Sequence, residues 1–205
     1  MLSGLLGLER ECYARTLKPN DRILLIGSGS GRDLIALLER GHVVEGLEPS
    51  AGAVAICDTM LRRKGLTARV HVGGAETTTV AGPFDAVIFS WFAYCYILGR
   101  EARVRALRHA KAALAPGGRI LVSYIERSAR ESALRLRFGR LAARVSHTDW
   151  APQPGDVVTI AGNSRGIHYE HHFAPGDLED EAAAAGLTVV IDKQHDEGTA
   201  LLIPR

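Results

Sequence analysis

One stretch constrains the fold more than any other. Residues 21 to 50 run from a short apolar segment, Ile23 to Ile26, through Gly27-Ser28-Gly29-Ser30-Gly31, into a helical pattern and then a second apolar segment ending at Glu48. The order strand, glycine turn, helix, strand, acid is the layout of a nucleotide-binding half of an α/β sheet. Glycines let backbone approach a ligand where a Cβ would clash. The following helix offers unpaired N–H groups at its start. An acid at the tip of the next strand can accept from both hydroxyls of a ribose.

The glycine spacing separates ligand classes. A dinucleotide fingerprint starting at Gly27 and Gly29 needs its third glycine at position 32, which is Arg32; the third glycine is Gly31 instead. A P-loop fails as well, because no Gly-Lys-Ser or Gly-Lys-Thr follows.

The rest of the chain repeats the alternation. Strands are expected at His42–Leu47, Ala68–Val72, Phe84–Ser90 and Arg119–Tyr124, with helices at Asp33–Glu39, from Ser50 to near Gly65, and at Glu101–Leu114. Pro116-Gly117-Gly118 reads as a tight turn. Alternation through five strands predicts a parallel, doubly wound sheet. Leu187–Asp192 and Ala200–Ile203 are joined too closely for a crossover helix, so that pair is antiparallel. The fold class is therefore α/β, Rossmann-like, with a seven-stranded mostly parallel sheet and a terminal antiparallel hairpin. A long insertion, about 126–176, precedes a last helix at Asp177–Ala185. It reads as a helix over Ser128–Val145 and then two strands, Val157–Ile160 and Ile167–Phe173.

The 205 residues fit a single domain, 1–205, carrying that insertion. A net charge of +2 gives no global pull toward nucleic acid or membrane. The arginines at 127, 130, 135, 137, 140 and 144 spread over more than one helix face, the pattern of a solvated helix, so nucleic acid is not an expected partner. Cys12, Cys57 and Cys95 lie far apart, without metal spacing or a disulfide framework. No apolar stretch nears the roughly 20 residues of a membrane span, and residues 1–8 lack the basic leader of a signal peptide. A cytoplasmic location is the expectation.

With these pieces in order, the chain resembles class I S-adenosylmethionine-dependent methyltransferases of the small-molecule type. The resemblance rests on Gly27 to Gly31, on Glu48 in Gly46-Leu47-Glu48-Pro49-Ser50, on Phe84 to Ser90, on Leu114 to Arg119 and on the terminal hairpin. It implies an enzyme that uses S-adenosylmethionine, with no metal, to methylate a small molecule. Gly27, Ser28, Gly29, Gly31, Glu48, Pro49, Ala75, Glu76, Ser90 and Trp91 are the implied cofactor residues. Tyr94, His168 and His172 are candidates for the reacting centre. On a strand His168, Glu170 and His172 share one face, and Tyr169, His171 and Phe173 the other. Two positions depart from the family: Leu25 and Gly74 stand where many members carry acids that hold the methionine amino group and the adenine. They keep a second reading open, a non-catalytic binding or assembly protein of the same fold. A nicotinamide-dependent oxidoreductase is a third, opposed by the glycine register and the hairpin.

Overall fold

The computed structural model describes residues 5, 7–127, 151–160, 167–193 and 197–205. The expected helix over Ser128–Val145, the hairpin turn at 162–166 and all but the first of the insertion's arginines lie outside the described residues.

The first strand, β1 (Arg22–Ile26), is apolar after Arg22 because both of its faces are covered from Ile23 on. Ile23 and Leu25 point to one layer, with Leu34 and Leu37 of α2 (Arg32–Leu38) and Cys57 and Leu61 of α3 (Ala51–Lys64). Leu24 and Ile26 point to the other, with Val104 and Leu107 of α4 (Arg100–Ala112) and Leu178 and Ala182 of α5 (Asp177–Ala184). β2 (Val43–Glu48) and β4 (Phe84–Phe89) flank β1 in parallel, and β3 (Val70–Val72) lies beyond β2. β5 (Leu114–Glu126) is parallel to β4, β9 (Glu197–Pro204) is antiparallel to β5, and β8 (Leu187–Lys193) lies outside β9. The order β3-β2-β1-β4-β5-β9-β8 supplies the expected seven strands, but the sheet has nine, because two strands of the insertion join it at β5. Successive strands leave β1 in opposite directions, which opens a crevice at the carboxyl ends of β1, β2 and β4.

Local signals act as the residue types require. Ser50 caps α3, its Oγ accepting from Ala53 N at 3.2 Å, and Gly65 ends that helix at φ +64°. Two readings change. Pro116-Gly117-Gly118 interrupts β5 rather than preceding it: Leu114 pairs with Phe84 and Arg119 with Ala86, the residues between forming a bulge. An amino-terminal helix, α1 (Gly7–Thr16), also exists without an apolar stripe to announce it. Arg119 fastens its end, donating to Thr16 O at 2.6 Å, to Asp85 O at 3.1 Å and to Asp21.

The insertion's two strands, β6 (Asp156–Ile160) and β7 (Ile167–Phe173), form an antiparallel hairpin. Ile125 pairs with Glu197 of β9 on one edge and with His172 of β7 on the other. β7 therefore takes up the edge of β5 that β4 vacates after Phe89, and the hairpin stands over the carboxyl end of β4. Among the described residues no helix is long and apolar enough to cross a membrane.

Candidate active site

The glycine turn closes over the end of β2. Glu48 is buried, 9% exposed, and its two carboxylate oxygens accept from backbone: Oε2 from Gly29 N at 2.9 Å and Oε1 from Ser50 N at 3.0 Å. The acid thus fastens the turn to the start of α3. Each oxygen keeps lone-pair capacity for a further donor.

Four of the five residues of the turn do different work. A Cβ on Gly27 would sit 2.5 Å from Ala93 Cβ, and one on Gly31 would sit 2.6 Å from Cys57 Sγ. Both glycines are required by neighbouring chain. Ser28 turns its hydroxyl inward, where a Cβ on Gly46 would lie 2.8 Å from it, and among the described residues this Oγ has no hydrogen-bond partner. Its side chain faces β2, not the crevice. Gly29 alone faces open space: at φ +53°, its added Cβ meets nothing within 4 Å. That is the surface against which a ligand's backbone-sized approach is possible.

The opposite wall is the segment after β4. Ser90 N donates to Ile26 O at 3.0 Å, and Ser90 Oγ donates to Asp33, an acid only 3% exposed. Arg32 holds the same carboxylate through Nε at 2.5 Å and Nη2 at 3.0 Å, and its guanidinium lies 4.8 Å over the ring of Trp91. Trp91 is 43% exposed and lies at the rim. Trp91 and Phe92 hold φ of +42° and +59°, a strained pair for non-glycine residues. Asp33 was missed in the sequence, although an acid directly after a glycine turn, at the start of a helix, is a visible signal.

At the far end, Pro49 is exposed beside Glu48. Ala75 is buried, its carbonyl accepting from His109 Nδ1 at 2.9 Å. Glu76 curls back over Gly74: a Cβ on Gly74 would stand 2.6 Å from Glu76 Oε1. The carboxylate of Glu76 thus reaches the place from which an acid at position 74 would project. Leu25 has no such stand-in on its own strand, being fully buried in the α2–α3 layer.

The candidates for the reacting centre are redistributed. Tyr94 does not face the crevice. It is fully buried, its ring stacks on Phe173 at 5.6 Å, and its hydroxyl donates to Glu181 Oε2 at 2.6 Å. Burial first, and then the Glu181 charge, push its pKa well above the ordinary range, so it is no base. Glu181 is in turn paired with buried Arg103 at 2.7 Å. His168 is exposed, and His172 lies 3.2 Å from Glu170 Oε2 on the same, more open face of β7. The organised histidine is on the other face. His171, 3% exposed, meets Asp156 Oδ1 through Nδ1 at 2.7 Å, and Tyr169 OH donates to that oxygen at 2.8 Å. Burial pushes the Asp156 carboxyl up, but the bonds from His171, Gln153 N and Tyr169 outweigh it and hold its pKa below the ordinary value. Two of the thiols are not nucleophiles near neutral pH: burial raises Cys57 to about 11 and Cys95 to about 12.

Comparison with known proteins agrees with this geometry. Residues 23–118 match the family model described as a methyltransferase domain. The ribosomal protein L11 methyltransferase of Thermus thermophilus is 29% identical over 118 residues, 58% of this chain and 44% of that protein. The chain thus matches less than half the length of this curated relative. A S-adenosylmethionine-dependent methyltransferase from Methanosarcina mazei superposes with TM-score 0.73 at 18% identity, over 97% of each chain. A glycopeptide N-methyltransferase complexed with S-adenosylmethionine gives TM-score 0.68 at 17% identity, over 96% of this chain and 85% of the other. Residues 23–118 thus resemble a methyltransferase domain, and the described fold is that of the S-adenosylmethionine-dependent methyltransferases on which it superposes.

Proposed function

We propose that the chain binds S-adenosylmethionine in the crevice between β1, β2 and β4 and transfers its methyl group to a small molecule. The observation that carries the reading is the Glu48 carboxylate. It is buried at the tip of β2, fixed by two backbone N–H groups, and placed beside the one glycine of the Gly27–Gly31 turn whose added Cβ would enter open space.

The residues fit such a cofactor. Glu48 would hold the ribose hydroxyls, Gly29 would pass closest to the ligand, and the carboxylate of Glu76 would receive the adenine amino group in place of the absent acid at Gly74. At the crevice's other end Arg32 already neutralises Asp33 and lies over Trp91, so this wall is a closed, charge-balanced rim. The cofactor supplies a methyl group on a good sulfur leaving group. What remains for the protein is to hold donor and acceptor in line and to exclude water. The β6–β7 hairpin over β4 supports a small acceptor, because it adds a wall to the crevice rather than a broad docking face.

The test is calorimetry with S-adenosylhomocysteine and with NADH, followed by transfer of a labelled methyl group to a panel of small alcohols, phenols and amines. Binding of the first ligand without the second, together with label transfer, is the expected result. A second reading, a non-catalytic binder, is favoured by the apolar burial of Leu25. It predicts binding without transfer to any member of the panel.

A further inference from the structure

The loop after β3 is held from a helix that the cofactor reading leaves out. Gly73 N donates to Glu48 O at 3.0 Å, so the loop starts against the acid at the tip of β2. Gly74 O then accepts from Thr77 N at 3.1 Å and from Thr78 N at 2.8 Å, which closes residues 74–78 into a tight turn. Ala75, at the head of that turn, is buried in the same core cluster as Leu107 and Ala110 of α4. Its carbonyl turns to the helix, where His109 Nδ1 meets it at 2.9 Å.

The donor is fixed by its partner. A carbonyl only accepts, so Nδ1 carries the proton. The accepting oxygen belongs to the Ala75–Glu76 peptide unit, which is trans, and a trans peptide points its C=O and N–H in opposite directions. Holding Ala75 O on α4 therefore directs Glu76 N–H away from that helix. Among the described residues this N–H has no backbone acceptor, and no hydrogen bond or ion pair occupies the Glu76 carboxylate. The same carboxylate is folded over Gly74, with Oε1 2.6 Å from the place of a Cβ there.

A residue with one free donor and one free acceptor can read the edge of a base. Adenine sets an accepting ring nitrogen beside a donating amino group, and a 6-oxo purine reverses both. Glu76 supplies both partners for the first, an N–H that gives and a carboxylate that takes, and opposes the second twice. A site built this way rejects the wrong partner because its own polar groups are left unpaired. The match holds only while the peptide plane stays where it is. Without the His109 donor the carbonyl of buried Ala75 is left unsatisfied, which is unfavourable. Rotation of the plane toward another donor would carry Glu76 N–H out of line.

We propose that His109 is a positioning residue for recognition of the cofactor's base: by holding the Ala75–Glu76 peptide it makes the crevice select a 6-amino over a 6-oxo purine. The assignment rests on the methyl-transfer reading and adds to it a determinant of specificity that acts from α4. The role belongs to the donor at Nδ1 and not to the bulk of the ring.

The experiment is calorimetry on the full chain with three ligands: S-adenosylhomocysteine, its 6-oxo analogue S-inosylhomocysteine, and its 2′-deoxy analogue. The wild type should bind S-adenosylhomocysteine about tenfold or more tightly than the 6-oxo analogue, the scale of one hydrogen bond to a charged group. His109→Leu should reduce that preference to about threefold or less, while the preference over the 2′-deoxy analogue stays within about twofold of the wild type. His109→Asn should restore the base preference, because its amide nitrogen stands two bonds from Cβ, as Nδ1 does. Should His109→Leu not fold, His109→Phe, which keeps a ring and lacks the donor, carries the same expectation. An undiminished base preference in the Leu or Phe variant overturns the proposal. So does equal loss in the Asn variant, which would assign the effect to shape, or parallel loss of base and ribose discrimination, which would mean general loosening. A wild type that binds both purines equally overturns it as well. Failure of the wild type to bind S-adenosylhomocysteine at all is a separate result and would refute the methyl-transfer reading instead.

Discussion

Replacing Glu48 by Gln separates the role the structure shows for its carboxylate, fastening the turn, from the one proposed for it, holding the ribose. Oε2 accepts from Gly29 N at 2.9 Å and Oε1 from Ser50 N at 3.0 Å. An amide has a single oxygen, so one of these N–H groups must face the new NH₂ group, donor against donor. The variant loses at least one charge-assisted bond, about 1.5–3 kcal/mol. For a chain of this length that corresponds to a fall in Tm of about 3 to 12 °C. If the same carboxylate also holds the ribose, S-adenosylhomocysteine affinity should fall by about tenfold to a hundredfold. The two losses are distinguished with the 2′-deoxy analogue of S-adenosylhomocysteine. The wild type should bind that analogue more weakly than the parent, and Glu48→Gln should discriminate much less between the two. Calorimetry on four protein–ligand pairs gives the coupling. A lowered Tm with undiminished discrimination would show that Glu48 only staples the turn, and the ribose assignment would fall.

Three further outcomes follow from the geometry. Gly29→Val should abolish S-adenosylhomocysteine binding with circular dichroism unchanged, because the side chain enters open crevice at φ +53°; retained affinity would place the ligand elsewhere. Arg103→Met should destabilise the fold by about 3–5 kcal/mol in urea melts, since it leaves Glu181 buried and uncompensated, whereas Arg103→Met with Glu181→Leu should cost less; equal losses would mean the ion pair carries no such penalty. Asp156 contributes stability that is full above the ordinary carboxyl pKa of 3.8 and is lost as pH falls through its lower folded value. Asp156→Asn should therefore lose stability near neutral pH and show a shallower acid decline than the wild type, and parallel pH profiles would contradict the lowered pKa.

Much of this was legible in the sequence because short-range chemistry decides it. The bare apolar run of β1, the Ser50 cap and the Gly65 stop need no tertiary information. Neither does the acid at the tip of β2, which the structure places under the turn. The amino-terminal helix was hidden because its residues, Gly7–Thr16, have no apolar stripe; packing of Tyr13 and the clamp by Arg119 hold it. The roles within the glycine turn were hidden for the same reason. Whether a glycine faces ligand or protein depends on Ala93, Cys57 and Gly46, which arrive from distant parts of the chain. His171 is the sharpest case. Alternation along β7 correctly separates its two faces, and the polar face with His168 and His172 looks the more reactive. The buried hydrogen-bonded pair instead needs Asp156, fifteen residues away, and the β6–β7 register that brings it opposite.

The segment after β4 explains why an aromatic cluster there is a poor guide to reactive groups. Its successive residues are divided among different walls. Ser90 donates to Asp33, Trp91 lies under Arg32 at the rim, Ala93 fills the space above Gly27, Tyr94 is bonded to Glu181, and Cys95 receives the His171 amide. A chain that serves so many partners in six residues must turn sharply, and Trp91 and Phe92 pay with positive φ, about 1–3 kcal/mol each. That strain persists only because the surrounding contacts over-determine it. The buried Arg103–Glu181 pair is one such contact, through Tyr94. Loosening it should therefore disturb the glycine turn on one side and the His171–Asp156 pair on the other, because both rest on this one segment.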